Sequence, residues 1–528
     1  MSCHLRWVLP STVCPPLLLS RRSNLTQPLH ERSSLRHSDR HSTLITRASI
    51  PSVPSMLGSL QSLLNQPGAK AGKQTTTFSD NAPSWEALQQ LVEEKGRQLN
   101  WQQPDLENGP TNPLALKRTF GQPGTPRVKL YRDHAAWCPY CQKVWLQLEE
   151  KQIPYTLEKI NMRCYGDKPP EYTAKVPSGL LPAMELDGQL IVESAEIMRI
   201  LEEAFPDNKP LLPPKGSKER QRADSLMRLE RRLFSDWLSW LTTSWQAPSS
   251  HTIPLPHCML ALRTTREFIA TMDAVDRELG AAGGPFFLGA DLSMVDVVFS
   301  PFLERIAASI LYYKGLTVRG DGRWKNLERW FESMEARPAY IGTRSDFYTH
   351  VHDLPPQLGG CASVPDADEA AAAIDGVDGK SWQLPLPPLN ATSFPEPYSP
   401  GEDPPLDRLR AAARLVGNHG AIAKFAARGC GKPGRRPVSA PLSDPTATAG
   451  ENFLEAVDAG LRHVAHALLE GAHASSLRVG DGENLPGDAV VASAEYIRDR
   501  VGVPRDLPYP AARQLRAHLN WLIGSLTA

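Results

Sequence analysis

The chain has 528 residues, in which 58 Lys and Arg residues balance 58 Asp and Glu residues, and 41% of all residues are apolar. A net charge of zero argues against a nucleic-acid-binding protein, and no run of about 18 apolar residues predicts a membrane span. Eight cysteines are too few for a disulfide scaffold in a chain of this length. The composition therefore predicts a globular protein from a reducing compartment.

Residues 1–50 differ in composition from the rest of the chain. They hold seven Arg, nine Ser, no Lys and only two acidic residues. This composition is typical of a transit peptide for a chloroplast or mitochondrion. The alternatives are a disordered tail and a secretory signal, but Pro10, Pro15 and Pro16 interrupt the apolar stretch that a secretory signal would need. We therefore predict an organelle transit peptide.

Residues 51–126 predict an N-terminal extension with one helix. Ser84 is a candidate N-cap, and Trp85, Leu88 and Val92 follow at helical spacing. Several prolines after residue 103 interrupt any further regular element. We expect this extension to wrap around a neighbouring domain.

Residues 127–210 predict a thioredoxin-like α/β domain. The periodicity of the side chains gives the order β-α-β followed by β-β-α. Asp187-Gly188 lies between two alternating apolar stretches, which is a strong hairpin signal. The predicted elements are strands at 128–131, 153–157, 183–186 and 189–192 and helices at 139–151 and 194–205.

The motif Trp137-Cys138-Pro139-Tyr140-Cys141 lies between the first strand and the first helix of this domain. A cysteine at a helix N-terminus is favoured as the thiolate, which is the form that attacks disulfides. Pro139 suits the first helical position, and Cys141 follows one turn later, where it could attack a mixed disulfide on Cys138. The alternatives are half of a zinc site, which lacks a second ligand pair, or two inert buried cysteines. We predict a redox-active Cys138, with Cys141 as its partner and no metal.

Residues 211–350 predict an all-helical domain. Ser293 and Asp296 form a variant of the capping box ahead of an apolar helix. Trp237, Trp240 and Trp245 lie on an early helix, where core or dimer contacts are favoured over the walls of a substrate pocket.

The remainder of the chain predicts a linker and a small helical domain. Residues 351–405 are rich in proline and predict an extended, semi-rigid linker. His350, His352 and Asp353 lie on an apparent loop, where a surface or interdomain contact is favoured over metal binding.

Residues 406–528 predict a bundle of helices with no nucleophile–base pair and no phosphate loop. We interpret its four candidate catalytic residues as structural or surface residues. They are His419, His463, His466 and Arg513. We therefore predict a domain of unknown role that binds a partner or regulates the rest of the chain.

The Cys-Pro-Tyr-Cys motif resembles the active site of glutaredoxins and of the cysteine-type glutathione transferases, which are the omega, lambda and dehydroascorbate reductase classes. In that superfamily, Leu181-Pro182 matches the cis-proline position whose preceding residue pairs with the cysteinyl part of glutathione. Glu193-Ser194 matches the pair that holds its γ-glutamyl end, and Lys168 matches a lysine that reaches its glycyl carboxylate. A helix N-terminus with a hydroxyl suits a carboxylate, and Glu193 can accept from an ammonium group.

The helical domain resembles that of the transferases, so the resemblance implies a thioredoxin-like domain plus an all-α transferase domain, followed by a separate small helical domain. The stretches 136–145 and 161–168 are similar to those of the iota class of photosynthetic organisms, whose members carry an additional C-terminal domain. That resemblance implies a chloroplast rather than a mitochondrion.

Two functions follow from the resemblance. The first is a glutathione-dependent thiol transferase or reductase, in which Cys138 attacks a glutathionylated small molecule or protein, or a dehydroascorbate-like oxidant, with glutathione as co-substrate. The alternative is a non-catalytic carrier of glutathione conjugates, or a scaffold whose C-terminal domain binds a protein partner. Ordinary glutathione conjugation ranks third, because a cysteine readily forms a mixed disulfide. The presence of both Cys138 and Cys141 favours the enzyme.

Overall fold

The computed structural model describes residues 76–244, 255–435, 441–480 and 484–528. The predicted transit peptide, with Cys3 and Cys14, lies outside these ranges, as do residues 51–75 and Trp245. None of the helices in the described ranges combines the length and the apolar character needed to cross a bilayer.

A five-stranded mixed sheet forms the base of the predicted thioredoxin-like domain. Its strands are β2 (Lys117–Arg118), β3 (Val128–Asp133), β4 (Tyr155–Ile160), β5 (Ala183–Leu186) and β6 (Gln189–Val192). The order across the sheet is β2-β4-β3-β5-β6, and only β3 and β4 are parallel. The edge strand β2 comes from the predicted N-terminal extension, which therefore contributes to this sheet.

The hairpin between β5 and β6 turns at the predicted dipeptide. Asp187 and Gly188 both have positive φ angles, of 50° and 82°. A turn with two such residues matches the twist of the strands, and glycine adopts this conformation without a steric cost. The side chain of Arg127 braces the turn by binding the Asp187 carboxylate at 2.6 Å.

The two predicted helices of this domain are present as α2 (Pro139–Lys151) and α4 (Ser194–Ala204), and a short unpredicted helix, α3 (Pro170–Lys175), lies between them in the chain. Helix α1 (Trp85–Gln98) comes earlier in the chain. α2 is buried along nearly its whole length, between the sheet and the helical domain. The thioredoxin-like fold class is confirmed.

The following helices form the predicted all-helical domain: α5 (Lys218–Thr242), α6 (Leu255–Ala281), α7 (Met294–Lys314), α8 (Lys325–Glu335) and α9 (Pro338–Thr343). α7 is the buried centre of this group, and the capping box predicted at its start is present. The Asp296 carboxylate is fully buried and also accepts hydrogen bonds from the Phe287 backbone N–H and the Trp330 indole. Trp237 and Trp240 are buried in the core, as favoured by the sequence.

The structure corrects the prediction of an extended linker at 351–405. This segment includes most of α10 (Phe347–Leu358) and all of α11 (Asp368–Ile374), so His350, His352 and Asp353 lie on a helix rather than a loop.

Helix α10 forms in spite of two prolines near its end. Asp346 caps the helix by accepting a hydrogen bond from the Thr349 N–H. Pro355 cannot donate to the Val351 carbonyl, but the Tyr313 hydroxyl donates to that carbonyl at 2.7 Å instead. The lost backbone hydrogen bond is therefore replaced by a side chain from α7.

The C-terminal part of the chain forms an additional helical region, as predicted. Its helices are α12 (Pro404–Val416), α13 (His419–Ala426), α14 (Leu454–Glu470), α15 (Gly487–Arg498) and α16 (Tyr509–Thr527). Two short segments from the start of the described chain join it. β1 (Thr77–Phe78) pairs with β7 (Leu485–Pro486), and α1 packs on α12 and α14. The helix predicted after Ser84 therefore lies against the C-terminal region, with Leu88 and Val92 in its core.

The C-terminal helices also contact α10 directly. The Arg516 guanidinium binds the Asp346 carboxylate at 2.6 Å, and both side chains are buried. The Tyr348 hydroxyl donates to the Asp499 carbonyl, and the Val503 N–H donates to the Thr349 hydroxyl. The described residues thus pack as one unit, and α10 joins the helical region to the rest.

Candidate functional site

Cys138 is the N-cap residue of α2, and Pro139 occupies the first helical position. The chain reaches this point through a tight turn after β3, in which Ala136 has a φ angle of 56°. The Cys138 side chain is half-buried, whereas Cys141, one turn later, is buried. The sequence pattern therefore puts an accessible sulfur at the positive end of a helix dipole.

Asp133, the last residue of β3, stabilises this turn through hydrogen bonds to its carboxylate. Its Oδ2 accepts hydrogen bonds from the backbone N–H groups of Trp137, at 2.6 Å, and Cys138, at 3.1 Å. Its Oδ1 is buried with no hydrogen-bond partner among the described residues. One carboxylate oxygen and the two sulfurs of Cys138 and Cys141 lie within 4.8 Å of one another. Three ligand-type atoms thus meet here, and the absence of a metal stays a prediction.

The two cysteines differ in their electrostatic environment. Burial raises the pKa of the Cys141 thiol well above its ordinary value, and its hydrogen bond to Cys138 and the nearby Asp133 charge raise it further. Cys141 therefore keeps its proton at neutral pH.

Residues from α7 hold the motif from the other side. The Arg305 guanidinium is buried, donates to the Trp137 carbonyl, and stacks 4.7 Å from the centre of the Trp137 ring. It also donates to the Gln142 side-chain carbonyl at 3.1 Å, while the Gln142 amide donates to Glu304 at 2.9 Å. These contacts fix the start of α2 against the helical domain.

His350 and Asp353 of α10 also contact residues of the thioredoxin-like domain, namely Trp137 and Tyr165. The indole N–H of Trp137 donates to Nδ1 of His350 at 3.2 Å, and burial lowers the His350 pKa to about 4, so the ring is neutral. The Tyr165 hydroxyl donates to the Asp353 carboxylate at 2.7 Å, and burial raises the Asp353 pKa to about 7. The two residues form buried contacts beside the site.

The predicted glutathione-binding residues belong to other elements of the same domain. The Leu181–Pro182 peptide bond is cis, and Leu181 makes no backbone–backbone hydrogen bond with any described residue. Glu193 precedes α4 with an exposed side chain and a φ angle of 69°, and Ser194 opens the helix. The free Leu181 backbone and this helix N-terminus are groups that could bind a peptide and a carboxylate.

Lys168 lies near the two cysteines on a loop before α3. Its ammonium donates to the Asn161 carbonyl at 2.7 Å, and its side chain is half-buried against Gly179. Burial lowers the Lys168 pKa, while the proximity of Cys141 and Cys138 acts in the opposite direction. Burial raises the pKa of Tyr140 in the motif, and Cys138 and Glu193 are both close enough to raise it further. Lys168 and Glu193 thus interact electrostatically with the motif, and the roles of the predicted residues in binding glutathione stay a prediction.

Sequence reasoning missed Asp133, Gln142 and Arg305, whereas His350 was interpreted as a surface or interdomain contact. Only Asp133 had a local signal, because an acidic residue at the end of an apolar strand stands out from its neighbours. Arg305 and His350 follow the motif by more than 160 residues. Their roles depend on tertiary contacts alone.

Two family models match this chain, one in the thioredoxin-like domain and one in the all-helical domain. Residues 137–204 match the family model described as glutathione S-transferase, N-terminal domain, and residues 262–333 match the glutathione S-transferase, C-terminal domain. Glutathione S-transferase DHAR2 of Arabidopsis thaliana is 25% identical over 181 residues, which are 34% of this chain and 72% of the relative. Glutathione S-transferase L3 of the same plant is 27% identical over 242 residues, or 44% of this chain and 90% of the relative.

Among solved structures, glutathione transferase Omega 3C from Trametes versicolor is 25% identical. It covers 42% of this chain and 91% of its own, with a TM-score of 0.34.

Proposed function

We propose that this chain, a glutathione transferase through its residues 137–204 and 262–333, is a glutathione-dependent thiol transferase or reductase with Cys138 as its nucleophile. The observation that carries the proposal is the half-buried Cys138 at the N-terminus of α2, with the buried and protonated Cys141 thiol within 4.8 Å of its sulfur. Its substrates are glutathionylated small molecules or proteins, or a dehydroascorbate-like oxidant.

The reaction on a glutathionylated substrate has two exchange steps. The Cys138 thiolate attacks the glutathione sulfur of the substrate disulfide, so that a Cys138–glutathione disulfide forms and the substrate sulfur leaves as a thiolate that takes up a proton. A second glutathione, as its thiolate, then attacks the same glutathione sulfur and releases Cys138. Overall, the substrate disulfide and one free glutathione give the substrate thiol and oxidised glutathione, so that one disulfide is exchanged for another.

Glutathione is held by groups of complementary charge. The free backbone of Leu181 before Pro182 pairs with its cysteinyl part, and Lys168 binds its glycyl carboxylate. Glu193 accepts from its ammonium group, and Ser194 with the N-terminus of α4 binds the γ-glutamyl carboxylate.

Cys141 acts as a positioning residue in this route. Because its thiol stays protonated and buried, external glutathione is the better attacking thiol for the mixed disulfide on Cys138. An internal disulfide between the two cysteines is then a protective state that forms when glutathione is scarce.

The test is mass spectrometry of the full chain after incubation with oxidised glutathione. We expect one glutathione adduct, on Cys138. Cys138→Ser should lose the adduct and reduce a glutathione mixed disulfide about a thousandfold more slowly or worse. Cys164→Ser is the matched control, because burial raises the pKa of this thiol to about 12 and leaves it unreactive.

Two results would contradict the proposal. Unchanged activity in Cys138→Ser would exclude this nucleophile. Glutathione binding by the wild-type chain without any thiol exchange would instead favour the non-catalytic carrier or scaffold.

We also propose that the chain is an iota-class transferase that acts in the chloroplast. The support is the similarity of stretches 136–145 and 161–168 to that class and the Arg- and Ser-rich composition of residues 1–50. Among the relatives, glutathione S-transferase DHAR3 of Arabidopsis thaliana is chloroplastic by name and 24% identical. A fluorescent protein fused behind residues 1–75 should enter chloroplasts, and mitochondrial fluorescence would contradict the assignment.

A further inference from the structure

We infer that a cavity between the thioredoxin-like domain and the C-terminal helical region binds an amphipathic organic anion, that is, a small molecule with an aromatic or aliphatic body and a carboxylate, sulfonate or phosphate group. The cavity has a volume of about 430 Å³. His134 and Tyr165 form one wall, and residues of α12, α13, α15 and the segments beside them form the others. This volume is in the range of pockets that hold small-molecule ligands.

The walls of the cavity are mainly apolar. Ile422 and Phe425 of α13 face it together with Leu415 of α12 and Leu515 of α16. The Tyr165 ring packs edge-on against the His134 ring, with 5.2 Å between the ring centres. These surfaces suit the hydrocarbon or aromatic body of a ligand.

Four arginines line the same cavity, with two aspartates. Arg505 is paired with Asp506 at 2.6 Å, so those two charges offset each other. Arg414, Arg428 and Arg500 make no ion pair with any carboxylate of the described residues; Arg428 and Arg500 each donate to a backbone carbonyl. The cavity therefore holds more guanidinium charge than carboxylate charge.

Two basic groups beside the cavity have lowered pKa values. Burial lowers the His134 pKa to about 4, with Arg505 acting in the same direction, so this ring is neutral at physiological pH. Burial also lowers the Lys159 pKa to about 8, with Arg132 and Arg414 as further causes. A cation beside Arg414 is thus disfavoured, whereas an anion in the cavity would gain charge-assisted hydrogen bonds from the arginines.

This cavity is separate from the contact between the two transferase domains. None of its lining residues comes from helices α5 to α9, which form the all-helical domain. Most of them lie after residue 404, beyond both segments that match the transferase family. The site is therefore a feature that the C-terminal region adds to the transferase fold.

The test compares two fluorescent probes on the full chain. 8-Anilinonaphthalene-1-sulfonate carries a sulfonate, and N-phenyl-1-naphthylamine has the same aromatic body without the charge. We expect saturable binding of the anionic probe, at least tenfold tighter than the neutral one. Arg414→Gln and Arg500→Gln should each weaken the anionic probe about tenfold or more and leave the neutral probe within about twofold.

Two further variants locate the binding. Ile422→Trp should fill the cavity and weaken both probes, whereas Arg408→Gln, on the same helix as Arg414 but outside the cavity, should change neither. An excess of S-hexylglutathione should not displace the anionic probe, because the glutathione site is elsewhere. Benzoate and phenyl phosphate as competitors then tell whether carboxylate or phosphate is preferred.

Equal affinity for the charged and neutral probes would overturn the inference, as would unchanged binding in both Arg414→Gln and Ile422→Trp. Displacement by S-hexylglutathione would also overturn it, because the probe would then occupy the transferase site. Far-ultraviolet circular dichroism of each variant shows that a loss of binding does not reflect unfolding. None of these outcomes depends on thiol exchange at Cys138.

Discussion

The thioredoxin-like domain and the C-terminal helical region bury different kinds of side chain. Charged pairs lie inside the protein along α2 of the thioredoxin-like domain, among them Arg118–Glu149 and Lys143–Glu230. The core of the C-terminal region is instead rich in alanine, with fully buried Ala411, Ala412, Ala459, Ala465, Ala467, Ala511 and Ala512. The comparison shows that buried charged pairs stabilise the packing of α2 in the thioredoxin-like domain. In the C-terminal helical region, small side chains allow the helices to pack closely.

Gly460 illustrates the second strategy. A Cβ atom at this position in α14 would lie 2.5 Å from the Val490 side chain of α15. The two helices therefore approach each other more closely than even alanine would allow at this point.

The largest effect is expected where the two regions meet. Arg516→Met leaves the Asp346 carboxylate buried without its partner and removes the guanidinium that stacks on the Tyr348 ring at 4.6 Å. Loss of one member of a buried pair should lower the free energy of unfolding by about 3–5 kcal/mol, measured by urea denaturation. Arg263→Met, which breaks the exposed pair with Glu267, should cost less than about 1 kcal/mol. Equal costs would mean that the junction is not held by this pair.

A smaller effect is expected at the glutathione site. Glu193→Ala removes a charged hydrogen bond to the ligand, worth about 1.5–3 kcal/mol, and should raise the KM for glutathione about ten- to a hundredfold with little change in kcat. Glu196→Ala on the same helix loses only its surface pair with Arg199 and should not change the KM. If calorimetry finds unchanged affinity in both Glu193→Ala and Lys168→Ala, the proposed residues do not bind glutathione.

A pH-dependent effect is expected at Asp353. Its carboxyl group keeps its proton up to about pH 7 in the folded chain but ionises near pH 4 in the unfolded chain. Between these values the folded state binds more protons, so this residue makes stability fall as the pH rises. Asp353→Asn keeps an acceptor for the Tyr165 hydroxyl and lacks this titration. Its stability relative to the wild type should therefore increase from pH 4 to 7, and a flat difference would contradict the pKa.

The smallest effect is expected at Cys141. A serine at this position still donates a hydrogen bond to the Cys138 sulfur, so Cys141→Ser should retain reduction of a glutathione mixed disulfide within about threefold. Cys141→Ala lacks the donor, and its rate-versus-pH profile should move to higher pH. Near-complete loss of activity in Cys141→Ser would indicate a two-thiol cycle in which Cys141 attacks the mixed disulfide.

The parts of the fold with local signals could be predicted from the sequence. The Asp187-Gly188 turn and the Cys138 N-terminus of α2 depend on residues next to each other in the chain, and both are present. Helix α10 could not be predicted, because Pro355 argues against a helix and the compensating hydroxyl of Tyr313 comes from another element.

The same reason limits what could be predicted about the site. Arg305 within an apolar helix could face solvent or the core, and only the packing of α7 against α2 brings it to Trp137. The arginines of the C-terminal cavity are likewise scattered from residue 414 to residue 505. No sequence motif joins them.

The docking of α1 and β1 on the C-terminal helices affects how the chain folds as it is made. Leu88, Val92 and Phe78 leave the ribosome early, yet the surfaces that bury them belong to helices after residue 404. Contacts so distant in sequence form late, because the chain between them must first be ordered or closed into a loop. The apolar face of α1 therefore stays exposed during synthesis until the thioredoxin-like and all-helical domains have been completed. A chaperone that binds short amphipathic segments would find its first target on the nascent chain at residues 85–98.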